Sequence, residues 1–445
     1  IGISGADVTT GDYYVTEVED LKKLNDELMK YEPSEIICNE AFLVSGFDVN
    51  DLKTRLHISV NALESHMFDD DGCRRILMKH FKVNTLIGLG VEEFPTGLLA
   101  AGALLQYLYD TQKTDLEHFT HIYPYLTSKY MLLDSSTRRN LELTETLREK
   151  QKRGSLLWVL DKTKTAMGAR LLRNYIEQPL IEKDEMEKRL DAIQELNQDS
   201  ISRDEIREYL NPIYDLERLL SKVTYKTANP RDLIAFRNSL QMLPPIKTVL
   251  SAFEKEELTE IREQIDGLED IYQLIDEAII DEPPLSIREG GMIKDQFDET
   301  IDRLRSAKHD GKQWLAQLEE EDRERTGIKN LKIKYNKVFG YYFEVTNSYK
   351  DLVPEDYIRK QTLSTGERYI TEELKELEST ILTAKDRIVA LEYDLFVALR
   401  QFVAGESARV KQTAQAVAQL DVLCSFAAVA VHNHYCKPEV DLGNT

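Results

Sequence analysis

Two long stretches of the sequence place apolar residues in alternating steps of three and four, which is the spacing of a coiled-coil seam. The second stretch keeps this spacing without a break, and the first carries Lys308 and Gly311 at two seam positions. At ~1.5 Å per residue, a helix of about 32 residues is roughly 50 Å long. We therefore expect two long helices that pair with each other, in the simplest case antiparallel. The apolar seam residues are Phe297, Ile301, Leu304, Leu315 and Leu318 in the first stretch, and Leu374, Leu377, Ile381, Ala384, Ile388, Leu391, Leu395 and Ala398 in the second.

The segment between the two stretches has a different composition. Its motif KYNKVFGYYFEV (334–345) crowds Tyr, Val and Phe around a glycine, as strands and tight turns do. Aromatic side chains alternate at strand spacing here, and we predict that they form the core of a small sheet. They are Tyr335, Phe339, Tyr341 and Phe343. We therefore predict a β-rich element over residues 327–371, at the far end of the two long helices.

The chain is acidic, with 57 basic and 79 acidic residues and a formal net charge of −22. Such a charge argues against a protein that coats nucleic acid, or an anionic membrane, with its whole surface. Residues 329–371 differ from the rest, because they contain eight basic and five acidic residues. A positive β-rich element in an acidic chain is expected to meet a polyanion locally and weakly.

The chain ahead of the heptad stretches divides into an α/β part and a helical part. In residues 1–117, GISGADV and DYYVTEV predict two strands joined by a hairpin at Thr9, Thr10 and Gly11. SEIICNE predicts a buried strand, LIGLG a further strand that ends in a glycine turn, and LLAAGALLQYLY a core helix. Together these patterns predict a small sheet with helices on its faces. Residues 123–281 carry almost continuous amphipathic patterns and predict an α-helical body.

The spacing of the cysteines and the length of the apolar runs indicate the cellular compartment. Cys38, Cys73, Cys424 and Cys436 show no CxxC spacing, which fits a reducing environment. No uninterrupted apolar run approaches the roughly 20 residues of a membrane span. We therefore expect a cytoplasmic protein with no membrane partner. Because the chain starts with Ile and ends in VDLGNT, we also expect it to be a piece of a longer protein.

Several long motifs resemble the MutS family of DNA mismatch-repair proteins. They are LLDSSTRRNLEL (132–143), GSLLWVLDKTKTAMGARLLRNYIEQPL (154–180), GYYFEV (340–345), YIRKQTLSTGERYI (357–370) and LDVLCSFA (420–427). The similarity runs nearly end to end and keeps the family's order of segments. It implies a multidomain, mainly α-helical fold. The implied domains are an α/β RNase-H-like connector (1–117), a core with the outgoing lever helix (118–326), a β-rich clamp between two antiparallel levers (327–371), and the returning lever with the end of the core (372–445).

The resemblance also implies a function. In the family, the clamps of two subunits close around duplex DNA and grip its backbone, levers relay the ATP state to them, and the connector helps to recruit a MutL-type partner. Gly311 and Lys312 lack the other residues of a phosphate-binding loop. We therefore expect this chain to be a non-catalytic part that holds no cofactor, with ATP and Mg²⁺ bound by an ATPase domain elsewhere in a dimeric parent. The parent is expected to be bacterial and associated with the nucleoid.

The clamp contains the candidate site residues. Arg and Lys supply charge, while Asn, Thr and Ser donate hydrogen bonds to phosphate oxygens, and such contacts position a duplex without specifying bases. A solvated basic loop is the structural alternative. The predicted DNA contacts are Lys334, Asn336, Lys337, Arg359, Lys360, Thr362, Ser364 and Arg368.

The α/β part raises the question of a nuclease. Asp7 and Glu40 lie on neighbouring predicted strands, with Asp12 as a third candidate. Two-metal phosphodiester chemistry requires several carboxylates that converge on paired ions. The alternative is that these acids cap turns or face solvent.

Two further groups have both structural and functional interpretations. His432, His434 and Cys436 could bind zinc only in an extended segment, because residues two apart on a helix point to different sides. A helix end is the alternative for this group. Arg138 and its neighbours, residues 139–140, begin a helix at the joint between the connector and the body. They would either transmit motion there or pack the joint.

Two other functions stay open from the sequence. One is a MutS relative that clamps DNA junctions in recombination, which would lack a mismatch-reading domain. The other is a coiled-coil scaffold whose β-rich end binds protein. Titration with duplex DNA at several salt concentrations would separate a DNA-gripping surface from a protein-binding one.

Overall fold

The computed structural model describes residues 1–443 except 32, 55–56, 113–115, 127–129, 132 and 337–339. Helices dominate the described chain and strands make up a small part of it, as predicted. The chain divides into two compact units. The first contains Ile1–Ala228, Asp232–Gln273 and Arg400–Thr445, and the second contains Asn229–Arg231 and Leu274–Leu399.

Short strands occupy the start of the first unit. They are β1 (Gly2–Asp7), β2 (Asp12–Glu17), β3 (Glu35–Cys38), β4 (Ser59–Ala62) and β5 (Tyr123–Pro124). β1 and β2 form the predicted antiparallel hairpin. At its turn, Gly11 has a φ of +73°, a conformation that glycine adopts without strain. β5 pairs with β2, while β3 and β4 form a separate parallel pair, so the single predicted sheet is two sheets in the structure.

The strand predicted for LIGLG is wrong. Ile87–Leu89 forms a 3₁₀ helix, and Gly90 follows it with a φ of +69°. A short apolar run does not by periodicity alone distinguish a strand from a helical turn. Leu86 and Leu89 of the run are buried in the core of the α/β segment, whereas Ile87 is 70% exposed.

Helices form most of the remaining chain. They are α1 (Leu21–Tyr31), α2 (Glu40–Leu43), α3 (Val49–Thr54), α4 (Asp70–Phe81), α5 (Pro95–Gln112), α6 (Ser135–Asn140), α7 (Leu156–Leu160), α8 (Ala166–Glu177), α9 (Lys183–Gln198), α10 (Ser200–Leu210), α11 (Leu216–Thr224), α12 (Pro230–Leu240), α13 (Leu243–Leu250), α14 (Glu256–Gln264), α15 (Glu269–Ala278), α16 (Glu299–Thr326), α17 (Glu372–Gly405) and α18 (Ser407–Asn433). α5 packs on β1, β2 and α4. Close packing requires a glycine, because a Cβ at Gly102 would lie 2.3 Å from the Cβ of Cys73.

α18 is the central helix of the helical part of the first unit. It packs against α8, α9, α11 and α14. Its length and apolar composition would also suit a membrane span, but 67% of its most apolar window is buried inside the protein. This burial is typical of a core helix, whose apolar side chains are covered by neighbouring helices.

Asp421 of α18 fixes the start of α8. Its buried carboxylate accepts hydrogen bonds from the backbone N–H of Lys164 (2.9 Å) and of Thr165 (2.7 Å). The hydroxyl of Thr165 donates to the same carboxylate and in turn accepts from the backbone N–H of Gly168. The free N–H groups at this helix start therefore have partners, as buried backbone groups require.

The two long helices α16 and α17, which lie mostly in the second unit, cover the predicted heptad stretches except Phe297, which precedes the N-cap Asp298 of α16. A Cβ at Gly311 of α16 would lie 2.6 Å from Ile381 of α17, so the seam glycine allows close approach of the helices. Arg305, earlier on α16, pairs with Glu392, later on α17. Because the contacts run in opposite order along the two helices, α16 and α17 lie antiparallel.

Glu392 ties this helix pair to the loop that precedes it. Its fully buried carboxylate accepts from the backbone N–H of Gly291 and of Met292, and from the Arg305 guanidinium at 2.8 Å. Gly290 and Gly291 have φ values of +71° and +78°, which glycine permits. The loop conformation and the buried carboxylate therefore depend on each other.

A four-stranded sheet lies between α16 and α17 in the chain, within the predicted β-rich segment. Its strands are β6 (Lys332–Asn336), β7 (Gly340–Thr346), β8 (Ile358–Thr362) and β9 (Gly366–Ile370). The strand order is β6-β7-β9-β8, and each neighbouring pair is antiparallel. A short 3₁₀ helix, Asn347–Leu352, follows β7.

Candidate nucleic-acid interface

One face of the four-stranded sheet is polar. The strand register places Glu344 between Lys332 on one side and Arg368 on the other. Residues paired across antiparallel strands point to the same face, and Lys334 shares that face because it lies two residues beyond Lys332. We call Lys332, Lys334 and Arg368, with Glu344 among them, the cation row. It holds three positive charges and one negative charge.

The centre of the opposite face of the sheet is apolar. Phe343, Val345 and Tyr369 are buried there in a core that also contains Leu318 of α16 and Leu374 of α17. This core covers one face of the sheet with the ends of the two long helices. The ends of these helices therefore leave the face that carries the cation row uncovered.

The aromatic residues were only partly predicted correctly. Phe343 is fully buried and Tyr341 packs against the same core, as expected. Tyr335 is 51% exposed and its ring lies 5.0 Å from that of Tyr341. It sits on edge strand β6, where less of the core covers it, so its assignment to the core is wrong. Phe339 lies outside the described residues.

The side-chain contacts of the cation row differ from one member to the next. The Nζ of Lys334 lies 2.8 Å from Oε1 of Glu344, and this carboxylate raises the pKa of Lys334. Arg368 donates to Oε1 of Gln361 at 2.7 Å, and its guanidinium lies 4.5 Å from the ring centre of Tyr342. Such cation–π contact favours a fixed, flat guanidinium. Lys332 is exposed at the end of the row.

Lys332 was counted as part of the local charge but not predicted as a contact. Its place in the row follows from its register opposite Glu344, and local charge does not specify that pairing. The signal in the sequence is the alternation of Lys332 and Lys334 along one strand, since residues two apart point to the same face. This alternation would have been enough to include it.

A second group of cations surrounds Glu367 at the β8 edge of the sheet. It lies on the opposite face from the cation row, because Glu367 pairs with Val345 and Arg359 pairs with Tyr369. Glu367 is buried, with 4% of its surface exposed. Its Oε1 is 2.9 Å from the Nζ of Lys350 and 3.4 Å from the Nη1 of Arg359. Thr362 donates to the same oxygen, and Tyr369 donates to the other one. The hydrogen bonds of Tyr369 and Lys350 lower the pKa of Glu367 to about 2.

Edge strand β8 contains a bulge that exposes a lysine. The register shifts between Arg359 and Gln361, so Lys360 has no partner in the ladder. Lys360 is exposed, and the side chain of Arg359 is 63% exposed. Bulges often redirect a side chain at a sheet edge. Arg359 and Lys360 therefore both reach solvent at this edge.

The remaining described contacts lie at the end of a strand or between two strands. Asn336 ends β6 opposite Gly340. Ser364 lies between β8 and β9, and its carbonyl accepts from the side-chain amide of Asn347 at 3.0 Å. Lys337 lies outside the described residues. The predicted set therefore falls into a group on the face of the cation row and a group at the β8 edge.

The acids of the α/β segment have structural partners. Oδ1 of Asp7 accepts from the backbone N–H and the hydroxyl of Thr9, both at 2.7 Å, so Asp7 caps the hairpin turn. Asp12 accepts from Thr10. Glu40 begins α2, directly after β3, which belongs to the other sheet. Asp7 and Glu40 are therefore not on neighbouring strands of one sheet, and that part of the nuclease hypothesis is wrong.

The C-terminal histidines lie at a helix end, as the structural alternative predicted. α18 ends at Asn433, and His434 follows with a φ of 57°, in the left-handed region. The backbone N–H of Tyr435 then closes the last turn by donating to Ala430 at 2.9 Å. Across the described part of the chain, no group of three or more His, Cys, Asp or Glu side chains is arranged to hold a metal ion.

Arg138 lies on α6 and joins two parts of the first unit. Its Nε donates to the carbonyl of Leu133 at 2.9 Å, and its Nη2 donates to the carbonyl of Asp26, on α1, at 3.2 Å. Both of these hydrogen bonds are accepted by neutral backbone carbonyls. The contact supports a packing role at the joint between the α/β segment and the helical part.

Comparisons with known proteins cover the whole chain. The model of MutS domain II matches residues 1–120, and the model of MutS domain III matches residues 136–427. The DNA mismatch repair protein MutS of Lachnoclostridium phytofermentans is 60% identical over 444 residues, which are 100% of this chain and 48% of that relative. The same protein of Ruminiclostridium cellulolyticum is 50% identical, over 100% of this chain and 51% of the relative.

A third relative, the DNA mismatch repair protein MutS of Acetivibrio thermocellus, is 48% identical over 99% of this chain and 50% of its own length. The chain thus spans about half the length of the curated relatives that it matches. Identity at this level over the full chain, together with two family models in the expected order, agrees with the resemblance of the motifs. The chain belongs to the MutS family.

Proposed function

We propose that this chain is the connector, core, lever and clamp part of a MutS-type mismatch-repair protein, and that its four-stranded sheet grips the backbone of duplex DNA. The observation that carries the proposal is the cation row, which lies on the uncovered face of the sheet in a chain of net charge −22. Lys and Arg on a flat β surface bind phosphates without reading bases. The contact would therefore be independent of sequence.

The expected salt dependence indicates how strongly the cation row binds DNA without a second subunit. Each neutralised phosphate contributes about −0.9 to the slope of log K against log salt. If Lys332, Lys334 and Arg368 each met one phosphate, the slope would be near −3, which means weak binding at physiological salt. Strong retention on DNA would then come from two subunits closing around the duplex.

The other parts of the proposal rest on the family. The α/β segment would serve as an RNase-H-like connector that helps to recruit a MutL-type partner. α16 and α17 would be the levers, which relay the ATP state of an ATPase domain to the DNA-binding sheet. This part of the protein would itself be non-catalytic and hold no cofactor, and the parent would be a dimer in the cytoplasm.

Titration of the chain with a fluorescein-labelled duplex, followed by anisotropy at several salt concentrations, tests the proposal. We expect a negative salt slope that becomes shallower in Lys332→Glu with Lys334→Glu, and also in Arg359→Glu with Lys360→Glu. The matched control reverses Lys183 and Lys188, two partly exposed cations of α9.

The control variant has the same change in net charge as each test variant. A larger effect at the sheet than at α9 therefore reports the location of the contact rather than the total charge. A slope of zero, or equal losses in the test and control variants, would contradict a DNA-gripping sheet and favour a protein-binding scaffold.

A further inference from the structure

The buried carboxylate of Glu367 collects donors from three separate elements of the second unit. Lys350 comes from the 3₁₀ helix after β7, Arg359 and Thr362 come from β8, and Tyr369 comes from β9. The chain between the first and the last of these residues reverses direction repeatedly. Glu367 is therefore the point at which the parts of this sheet edge are held together.

Burial differs between the acid and its cations. The side chain of Glu367 is 6% exposed, whereas those of Lys350 and Arg359 are 39% and 63% exposed. The acid therefore lies beneath and the cations lie above it, towards solvent. A buried anion with a rim of partly exposed cations leaves their outer hydrogen-bond donors available to a second anion.

We propose that Glu367 is a positioning residue, which holds Lys350 and Arg359 side by side at the β8 edge as a second phosphate-binding position for the DNA backbone. This inference rests on the proposed function and deepens it by adding Lys350, which lies outside the set predicted from the sequence. Lys360, exposed by the bulge next to Arg359, adds a further cation to the same edge.

Glu344 provides the contrast that makes the proposal testable. It lies in the cation row, its side chain is 29% exposed, and its ion pair is with one lysine, Lys334. If charge alone mattered, neutralising either acid would strengthen DNA binding, because a repulsive charge would be removed from each site. If Glu367 positions its cations, the two substitutions have opposite effects.

The experiment compares Glu367→Gln with Glu344→Gln in the whole chain, using the fluorescein-labelled duplex at low salt. We expect Glu344→Gln to bind as well as or better than the parent chain. We expect Glu367→Gln to bind about threefold to fivefold more weakly, on the scale of a lost exposed ion pair. Equal or tighter binding by Glu367→Gln would overturn the proposal.

A double-mutant cycle separates positioning from general structural damage. In a chain that already carries Lys350→Gln and Arg359→Gln, the further change Glu367→Gln should have no effect on duplex affinity, because Glu367 acts through those two cations. If Glu367→Gln still weakens binding in that background, the residue acts on the fold and the proposal fails.

Separate controls cover a variant that does not fold and a chain that does not bind duplex DNA. If Glu367→Gln does not fold, Lys350→Gln alone must make the salt slope shallower by about 0.9, and an unchanged slope would overturn the proposal. If the parent chain itself shows no salt-dependent duplex binding, the proposed function fails. If the unsubstituted chain shows salt-dependent binding, but Glu367→Gln and Lys350→Gln bind duplex DNA as it does, the proposed function stands and this inference alone fails.

Discussion

Two buried carboxylates, one in each unit, differ in what satisfies them. Asp421 in the first unit accepts from the backbone N–H groups of Lys164 and Thr165. Glu367 in the second unit accepts from side chains, two of which are cations. Both are almost fully buried. One carboxylate fixes the path of the main chain, whereas the other fixes charged side chains that reach solvent.

The pKa values of the two carboxyl groups move in opposite directions because their partners differ. Burial raises the pKa of Asp421, because its neutral donors offset only part of the lost hydration. The pKa of Glu367 falls to about 2, because Tyr369 and Lys350 bind its charged form. A buried carboxylate that accepts from backbone N–H groups thus fixes the main chain. One that pairs with cations fixes charged side chains at the surface. Glu392 combines both kinds of partner.

The largest effect is expected from Asp421→Ala. Removing the carboxylate leaves the N–H groups of Lys164 and Thr165 buried without partners, which costs about 4 kcal/mol in total. Urea unfolding of the first unit, followed by the fluorescence of Trp158 in a Trp314→Phe background, measures this loss. Asp199→Ala is the control.

Asp199 also caps a helix start, that of α10, but is only partly buried. Its loss should cost about 1 kcal/mol, since water can replace a cap that is only partly buried. Equal losses for Asp199→Ala and Asp421→Ala would contradict the importance of burial. Both carboxylates accept from backbone N–H and hydroxyl groups at a helix start, and they differ in burial.

Glu392→Gln should have the next largest effect. The substitution leaves Arg305 without its buried counter-ion and is expected to destabilise the second unit by about 2 kcal/mol. Trp314 fluorescence in a Trp158→Phe background follows that unit. Asp295→Asn changes an exposed partner of the same arginine, and should cost less than about 0.5 kcal/mol. The reverse order would refute the account of Glu392.

A smaller effect is expected from the pH dependence of Glu367. Its pKa falls from an ordinary value of 4.5 to about 2 in the folded chain, so its charged form stabilises the fold above pH 4.5. That contribution is lost as pH falls from 4.5 towards 2. The difference in stability between the parent chain and Glu367→Gln should therefore shrink over this range. A constant difference would contradict the hydrogen bonds assigned to the carboxylate.

The smallest effect is expected from Lys332→Gln. One exposed cation fewer in the cation row should make the salt slope for duplex binding shallower by about 0.9 and leave stability unchanged. Lys329→Gln is the matched control, because Lys329 is also exposed but lies ahead of β6. An equal change in both variants would show that the row has no special role.

The sequence predicted the elements that depend on local patterns. The heptad spacing gave α16 and α17, and Thr9, Thr10 and Gly11 gave the first hairpin, because these signals lie in neighbouring residues. LIGLG was misassigned, since a run so short fits a strand and a 3₁₀ helix equally well.

The site was predicted only in part, because its geometry depends on register. Lys334, Arg359 and Arg368 follow from local charge and the family resemblance. The meeting of Lys350 with Glu367 depends on how three elements fold back on one another, and no spacing in the sequence encodes that. The charged segment was therefore predictable from the sequence. Its division into the cation row and the group at the β8 edge was not.

Lysine modification with and without duplex DNA tests the central claim most directly. Acetylation of the folded chain, read by mass spectrometry, should label Lys332 and Lys334 in the free chain and label them much less when duplex DNA is bound at low salt. Lys183 and Lys188 of α9 should be labelled equally in both states. Protection confined to the four-stranded sheet is the predicted result, and saturated binding without protection of Lys332 and Lys334 would contradict it.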